Sequence, residues 1–379
     1  MSLTRYALHG QAFAASCLFA LLAASAQAQP ERLNSEMMPL AASQALILDI
    51  ADAASRAVAV GERGQILVSE SRSEWRQVPD VPTRSTLTAV SAVGDLVWAV
   101  GHDGVILASS DGGLTWTVQR EDVLRSDDDV DAEFDPRQGV PLLDILMLSA
   151  DHGFAIGAYS QLLRTDDGGA SWVFVPTGDD AFDEDPFDPS EDEIDADDGG
   201  DDWTLSDEDL MMDEESEPHF NAIARTGSGA LFIIGERGAG FRSRDGGETW
   251  ERLQLPYGGS MFGVIGYEGD RVLAYGMRGN AFESHDLGES WQAVDTDTEL
   301  TFMGGTALGA DGFVLVGANG VVVVRSRADA PLRSLIYVTP NQETPVLSGV
   351  LARPDGSLLV SGEKGVGRFV PKRTRAAEE

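Results

Sequence analysis

Four aspartates stand in one recurring frame, a hydroxyl residue, then Asp, Gly and Trp at fixed spacing. The copies are Ser109-x-Asp111-x-Gly113-x-x-Trp116, Thr165-x-Asp167-x-Gly169-x-x-Trp172, Ser243-x-Asp245-x-Gly247-x-x-Trp250 and Ser284-x-Asp286-x-Gly288-x-x-Trp291. Repeated carboxylates could serve as general acids, nucleophiles or cation ligands. They could equally be turn formers, because an Asp carboxylate accepts backbone N–H bonds within its own turn. The frame favours the turn: Gly supplies a positive φ, and Trp packs at the start of the next strand. Worn copies end at Trp75 and lie near Ser326 and Asp329. No catalytic residue and no metal ligand is assigned to these positions.

Other chemistry is thinly represented. The histidines beyond the N-terminal region, His102, His152, His219 and His285, are isolated in sequence. They form no Ser/His/Asp or metal-ligand spacing. Cys17 is the only cysteine. It lies in a leader: Arg5 gives a basic start, residues 12–24 an apolar run, and Ala26-Gln27-Ala28 a cleavage site. Residues 1–28 are therefore expected to be a signal peptide. The mature chain is then free of thiols, exported to the periplasm, and without a membrane-inserted segment. A formal net charge of −36 repels nucleic-acid phosphates and anionic lipid.

The elements that position the aspartates come from a second repeat, G-x-x-G between two β-rich runs. It starts at Gly61, Gly101, Gly157 (a looser copy), Gly235, Gly276, Gly317 and Gly362. Most intervals are near forty residues, the length of one four-stranded propeller blade. In the second repeat, strands A to D are expected at 88–93, 96–100, 105–109 and 115–119. In the seventh, A, B and C are expected near 346–350, 357–361 and 366–370. That repeat shows no fourth strand, and residues 31–45 are expected to supply it and close the ring. The expected fold is all-β: a seven-bladed propeller of four-stranded antiparallel blades over residues 29–371, followed by a tail at 372–379.

Two acidic insertions interrupt the repeats, at 121–139 and 178–218. The longer holds 21 Asp or Glu and no Lys or Arg. Such charge density resists compaction, so disorder is expected there. Its apolar residues Trp203, Leu210 and Met211 suit a recognition segment. The spacing Asp195, Asp197, Gly199 fails the EF-hand template, which needs another oxygen ligand before its glycine. Strand alternation places both insertions on the face of the G-x-x-G turns. There the third turn residue is basic in four repeats: Arg63, Arg237, Arg278 and Lys364.

The Asp frame is that of the Asp-box, or bacterial neuraminidase repeat. Joined to G-x-R-G, it resembles the photosystem II stability and assembly factor family across about residues 45–370. The resemblance implies an exported seven-bladed propeller without an enzymatic reaction or cofactor. It implies a scaffold that helps membrane subunits assemble, in photosynthesis or beside an exporter-type membrane protein. It also implies an arginine surface matched here by Arg63, Arg237 and Arg278. The expected partner is a protein client, a membrane protein or its exported segment, bound by a monomer. The alternative is a sialidase-like glycoside hydrolase. That chemistry needs an arginine cluster, a Tyr nucleophile with a Glu partner, and an acid Asp. The candidate tyrosines are Tyr159, Tyr257, Tyr267, Tyr275 and Tyr337, and the Phe-Arg-Ile-Pro signature is missing.

Overall fold

The structure is a computed structural model describing residues 33–38, 40, 44–122, 138–177 and 217–371. Seven antiparallel sheets follow one another along the chain. Six have four strands; the seventh has three. In blade two the strands are Leu87–Val93, Leu96–Gly101, Ile106–Ser109 and Thr117–Arg120. These lie within about two residues of the expected bounds. Strand B of each blade is buried along almost its whole length, as in Ala57–Gly61 and Leu231–Gly235, because neighbouring blades cover both faces. Strand A lines the axis and carries a register shift in every blade, for instance between Ile47 and Asp49 and between Leu87 and Ala89.

The expected closing strand is not found. Strand C of blade seven (Gly365–Phe369) has no fourth strand beside it among the described residues. Of the described residues in the 31–45 stretch, 33–38 run against blade one and the connection that follows it, and Ala45 meets blade seven through one bond, its carbonyl accepting from Gly365 N at 3.0 Å. Met38 N donates to Gln77 Oε1 at 2.8 Å, and Ser35 N donates to the Val81 carbonyl at 2.9 Å. Hydrogen bonds between blades and apolar packing close the ring instead. Ser348 Oγ donates to the Ile47 carbonyl at 2.6 Å, and Arg353 pairs with Asp52 at 2.7 Å. Leu351, Leu359 and Val366 pack against Ala45, Ile47, Ile50, Ala59 and Leu67.

The G-x-x-G repeat has a physical cause at both glycines. At Gly101 a Cβ would sit 2.0 Å from the Thr86 carbonyl oxygen. The next amide, His102 N, donates to that same carbonyl at 2.9 Å. The same close approach holds at Gly61, Gly157, Gly235, Gly317 and Gly362 against the residue entering strand A. The fourth position turns left-handed, with φ of 60° at Gly104 and 73° at Gly279. Gly101→Ala is therefore expected to destabilise by about 3 kcal/mol, since rigid backbone must move. Urea unfolding of the variant measures this; an unchanged midpoint would contradict it.

Candidate binding surface and central channel

The G-x-x-G turns and the D-to-A connections share one face. Asp122 N donates to the Asp103 carbonyl at 3.1 Å, and Ser160 N donates to the Pro218 carbonyl at 3.0 Å. Asp122 and Pro218 belong to the described ends of the two acidic insertions. Trp203, Leu210 and Met211 lie outside the described residues, as do 123–137 and 178–216.

The basic turn residues are on this face and exposed. Arg63, Arg237 and Arg278 each hold the left-handed position, with φ of 54°, 53° and 56°. A non-glycine residue in that region bears a modest backbone cost. In ring order they form two pairs, Lys364 and Arg63 on blades seven and one, Arg237 and Arg278 on blades four and five. Lys364 pairs with Glu343 at 3.0 Å. Arg63 and Arg278 make no ion pair among the described residues. Arg84 adds a further cation beside Arg63, paired to Glu36 at 2.8 Å. Arg237 lines a groove with Arg252, Leu253, Leu255 and Pro256. Blades two, three and six place Asp103, Tyr159 and Asn319 at the equivalent position, and in blade three Ser160, expected there, is the fourth residue of the turn.

The Asp-boxes lie on the opposite face, against the A-to-B turns. Gly112 N donates to the Asp95 carbonyl at 2.9 Å, and Gly168 N to the Asp151 carbonyl at 2.8 Å. Asp111 Oδ1 accepts from the Leu114 and Thr115 amides, each at 2.9 Å, and Oδ2 accepts from Thr115 Oγ1 at 2.7 Å. Ser109 Oγ donates to the same carboxylate and accepts from Gly113 N. Burial alone would raise Asp111, but the Thr115, Ser109 and Leu114 bonds outweigh it and hold the carboxyl at about 2. Asp286 is held at about 2 by the Ser290 hydroxyl and amide, with Ser284. Asp245 and Asp167 are lowered likewise by Thr249 and Ser171. A carboxyl bonded in this way is a poor proton donor near neutral pH.

Each Asp-box tryptophan packs between its own blade and the one before. Trp116 joins Val58, Val60 and Val68 of blade one, and its Nε1 donates to the Gly113 carbonyl at 2.9 Å. Trp250 meets Phe154 of blade three edge-on, ring centroids 6.0 Å apart. Trp172 packs in the blade two–three core beside Trp98 and Ala89. Trp291 packs with Phe232 and Leu253 of blade four.

The axis holds polar groups as well. Strand A contributes Asp49 in blade one and Asp144 in blade three, and both line the central channel. Asp49 Oδ1 accepts from Ile50 N and Oδ2 from Val90 N of blade two, both at 2.8 Å. Asp144 repeats this with Ile145 N and, from blade four, Ile223 N, again at 2.8 Å. Thr88 Oγ1, Asn221 Nδ2 and Ser348 Oγ each donate to the first strand-A carbonyl of the next blade. The sequence signal was available: Ile47-Leu48-Asp49-Ile50 and Leu142-Leu143-Asp144-Ile145 set an acid at one register position of an apolar strand.

Enclosure by the blades pushes Asp49 up to about 6 and Asp144 up to about 7, the latter helped by the Asp49 charge. A raised carboxyl binds its proton more tightly folded than unfolded. Its stabilising contribution is full below the unfolded value near 4, and is lost as pH rises through about 6 to 7. Denaturant stability is thus expected to be higher at pH 5 than at pH 8. The loss of overall repulsion between acids acts in the same direction. The part due to the channel is the difference between the native chain and an Asp49→Asn/Asp144→Asn variant, whose profile should be flatter. Parallel profiles would overturn this assignment.

Comparison with known proteins agrees with this architecture. Residues 190–329 match the profile of the family described as photosynthesis system II assembly factor YCF48. The chain is also similar to a solved structure titled YCF48 bound to D1 peptide, at 17% identity and a TM-score of 0.58, covering 88% of this chain and 94% of that one. A YCF48 structure from Cyanidioschyzon merolae matches at 15% identity and a TM-score of 0.59, covering 88% and 98%. The WD40 propeller domain of Doa1 matches at 10% identity and a TM-score of 0.58, covering 92% and 98%. At these identities the structural likenesses concern the fold. No curated protein matches the sequence. The chain is thus a seven-bladed propeller whose residues 190–329 match the profile of that assembly-factor family.

Proposed function

We propose that this protein is an exported, non-catalytic scaffold. Its G-x-x-G face binds a protein client, an extramembrane segment of a membrane-complex or exporter subunit. The observation that carries the reading is the set of exposed cations, Arg63, Arg237, Arg278 and Lys364, at equivalent turn positions of one face. A turn position fixed by backbone presents its side chain without further ordering of the chain, which lowers the entropic cost of binding. The family match over 190–329 and a similarly shaped YCF48 structure with a bound peptide support a protein ligand. A hydrolase of sialidase type needs arginines at its sugar carboxylate, and among the described residues no Arg or Lys lines the central channel.

The test is chemical crosslinking in isolated membranes, with the tagged native chain beside an Arg63→Glu/Arg237→Glu/Arg278→Glu variant. One partner should crosslink to the native chain, and at least tenfold less to the variant. Raising salt from 50 to 500 mM should weaken the native signal, because exposed charges are screened. Equal crosslinking of the same partner by the variant would remove this face from the reading.

A further inference from the structure

The channel has an electrostatic defect that client binding on the outer face does not use. Asp49 and Asp144 line it, and among the described residues no Lys, Arg or His does. Each carboxylate oxygen accepts one backbone N–H and keeps a second acceptor position. A third group converges on the same space. Tyr275, in strand B of blade five (Val272–Gly276), passes between two strands A to reach the channel. It can do so because Gly263 and Gly305 have no side chains: a Cβ at either would fall within 3 Å of the tyrosine ring or hydroxyl. Tyr275 is 4% exposed and lines the channel. Its hydroxyl opens on the channel and makes no hydrogen bond among the described residues.

We infer that the central channel is a second ligand site, one that takes a small organic ammonium ion, with Asp49 and Asp144 as its counter-charges and the Tyr275 hydroxyl as a further acceptor. The cavity, about 290 Å³, accommodates a short alkylamine. An ammonium brings three N–H donors to a space lined with spare acceptors and two negative charges. A bare metal ion fits less well: no group of three or more His, Cys, Asp or Glu gathers among the described residues. Among the described residues, the titratable groups lining the channel are Asp49, Asp144 and Tyr275. Affinity for the amine therefore rises as pH increases through the carboxyl range.

The probe is 1,4-diaminobutane, titrated calorimetrically into the full mature chain at pH 8 and 150 mM salt. One saturable site is expected, at least tenfold weaker at pH 5, with no heat from the neutral 1,4-butanediol. The acidic insertions also attract amines, so variants in the channel locate the site. Asp49→Asn/Asp144→Asn should abolish the saturable binding. Tyr275→Phe, which keeps the packing and both charges, should weaken it by about threefold to tenfold. An isotherm unchanged in the folded Tyr275→Phe and double-Asn variants would place the amine on the insertions and overturn the proposal. Equal binding of the diol would overturn it as well.

Discussion

Replacing Glu283 with alanine is expected to destabilise the propeller by about 3–5 kcal/mol, because it leaves two buried guanidiniums without a counter-charge. Glu283, in strand C of blade five (Ala281–Ser284), lies between Arg271 of its own blade and Arg325 of blade six. The three side chains are 10–11% exposed. Arg325 Nη2 donates to both carboxylate oxygens, at 2.9 and 3.0 Å, and Arg271 Nη2 also reaches the Asp311 carbonyl at 2.9 Å. Tyr267 and Phe313 receive the two guanidiniums on their ring faces, at 4.4 and 4.6 Å. This triad occupies the junction where an Asp-box is worn. At the junction of blades one and two, Arg56 instead caps the Asp-box carbonyls of Asp111 and Gly112. At that of blades four and five, Arg242 reaches the Leu287 carbonyl and Glu289. Urea unfolding followed by Trp fluorescence measures the effect. Replacing all three residues with apolar ones of similar volume should be much milder, since desolvation of the charges is relieved too. A loss below about 1 kcal/mol for Glu283→Ala would show that water reaches the guanidiniums.

What the sequence disclosed, and what it hid, follows the range of the forces involved. The G-x-x-G glycines and the Asp-boxes answer to contacts within a few residues, or to one fixed neighbour. Gly101 must admit the Thr86 carbonyl, and Asp111 must accept Thr115. Seven repetitions of such constraints made the blade count and the strand bounds readable. The pairing of turns with faces followed from strand alternation alone. The channel was hidden because its groups meet only when seven strands converge. Asp49 looks like one acid in a β-run until Val90 N is seen to bond it across a blade boundary. Tyr275 looks like a core strand residue until Gly263 and Gly305, one of them on the next blade, are seen to let it through. The closing strand was misread for a related reason. Pairing to an open edge has no local signature, and residues 33–38 found hydrogen-bond partners at Gln77 and Val81 instead.

Trp116→Ala is expected to cost about 3–5 kcal/mol, the range for removing a large buried aromatic and leaving a cavity. Trp116 is 8% exposed, and its ring closes the wedge between blades one and two against Val58, Val60 and Val68. Gly113 is part of the same fit, since a Cβ there would meet Val58 Cγ2 at 3.0 Å. The indole Nε1 is satisfied by the Gly113 carbonyl, so the ring is fixed by a bond as well as by packing. Trp250 has the same place two junctions further on, against Phe154, but is half-buried and its Nε1 has no partner among the described residues. Its truncation removes less packed surface and no hydrogen bond, so Trp250→Ala should cost less than Trp116→Ala. Asp111→Ala gives a scale for the turn alone: it should cost about 1–2 kcal/mol, because the exposed Thr115 amide can turn to water. The order Trp116 > Trp250 > Asp111 in urea midpoints is the expected result. If Asp111→Ala proved as costly as Trp116→Ala, the Asp-box would act as the structural centre of the junction, and the wedge between blades would be secondary to it.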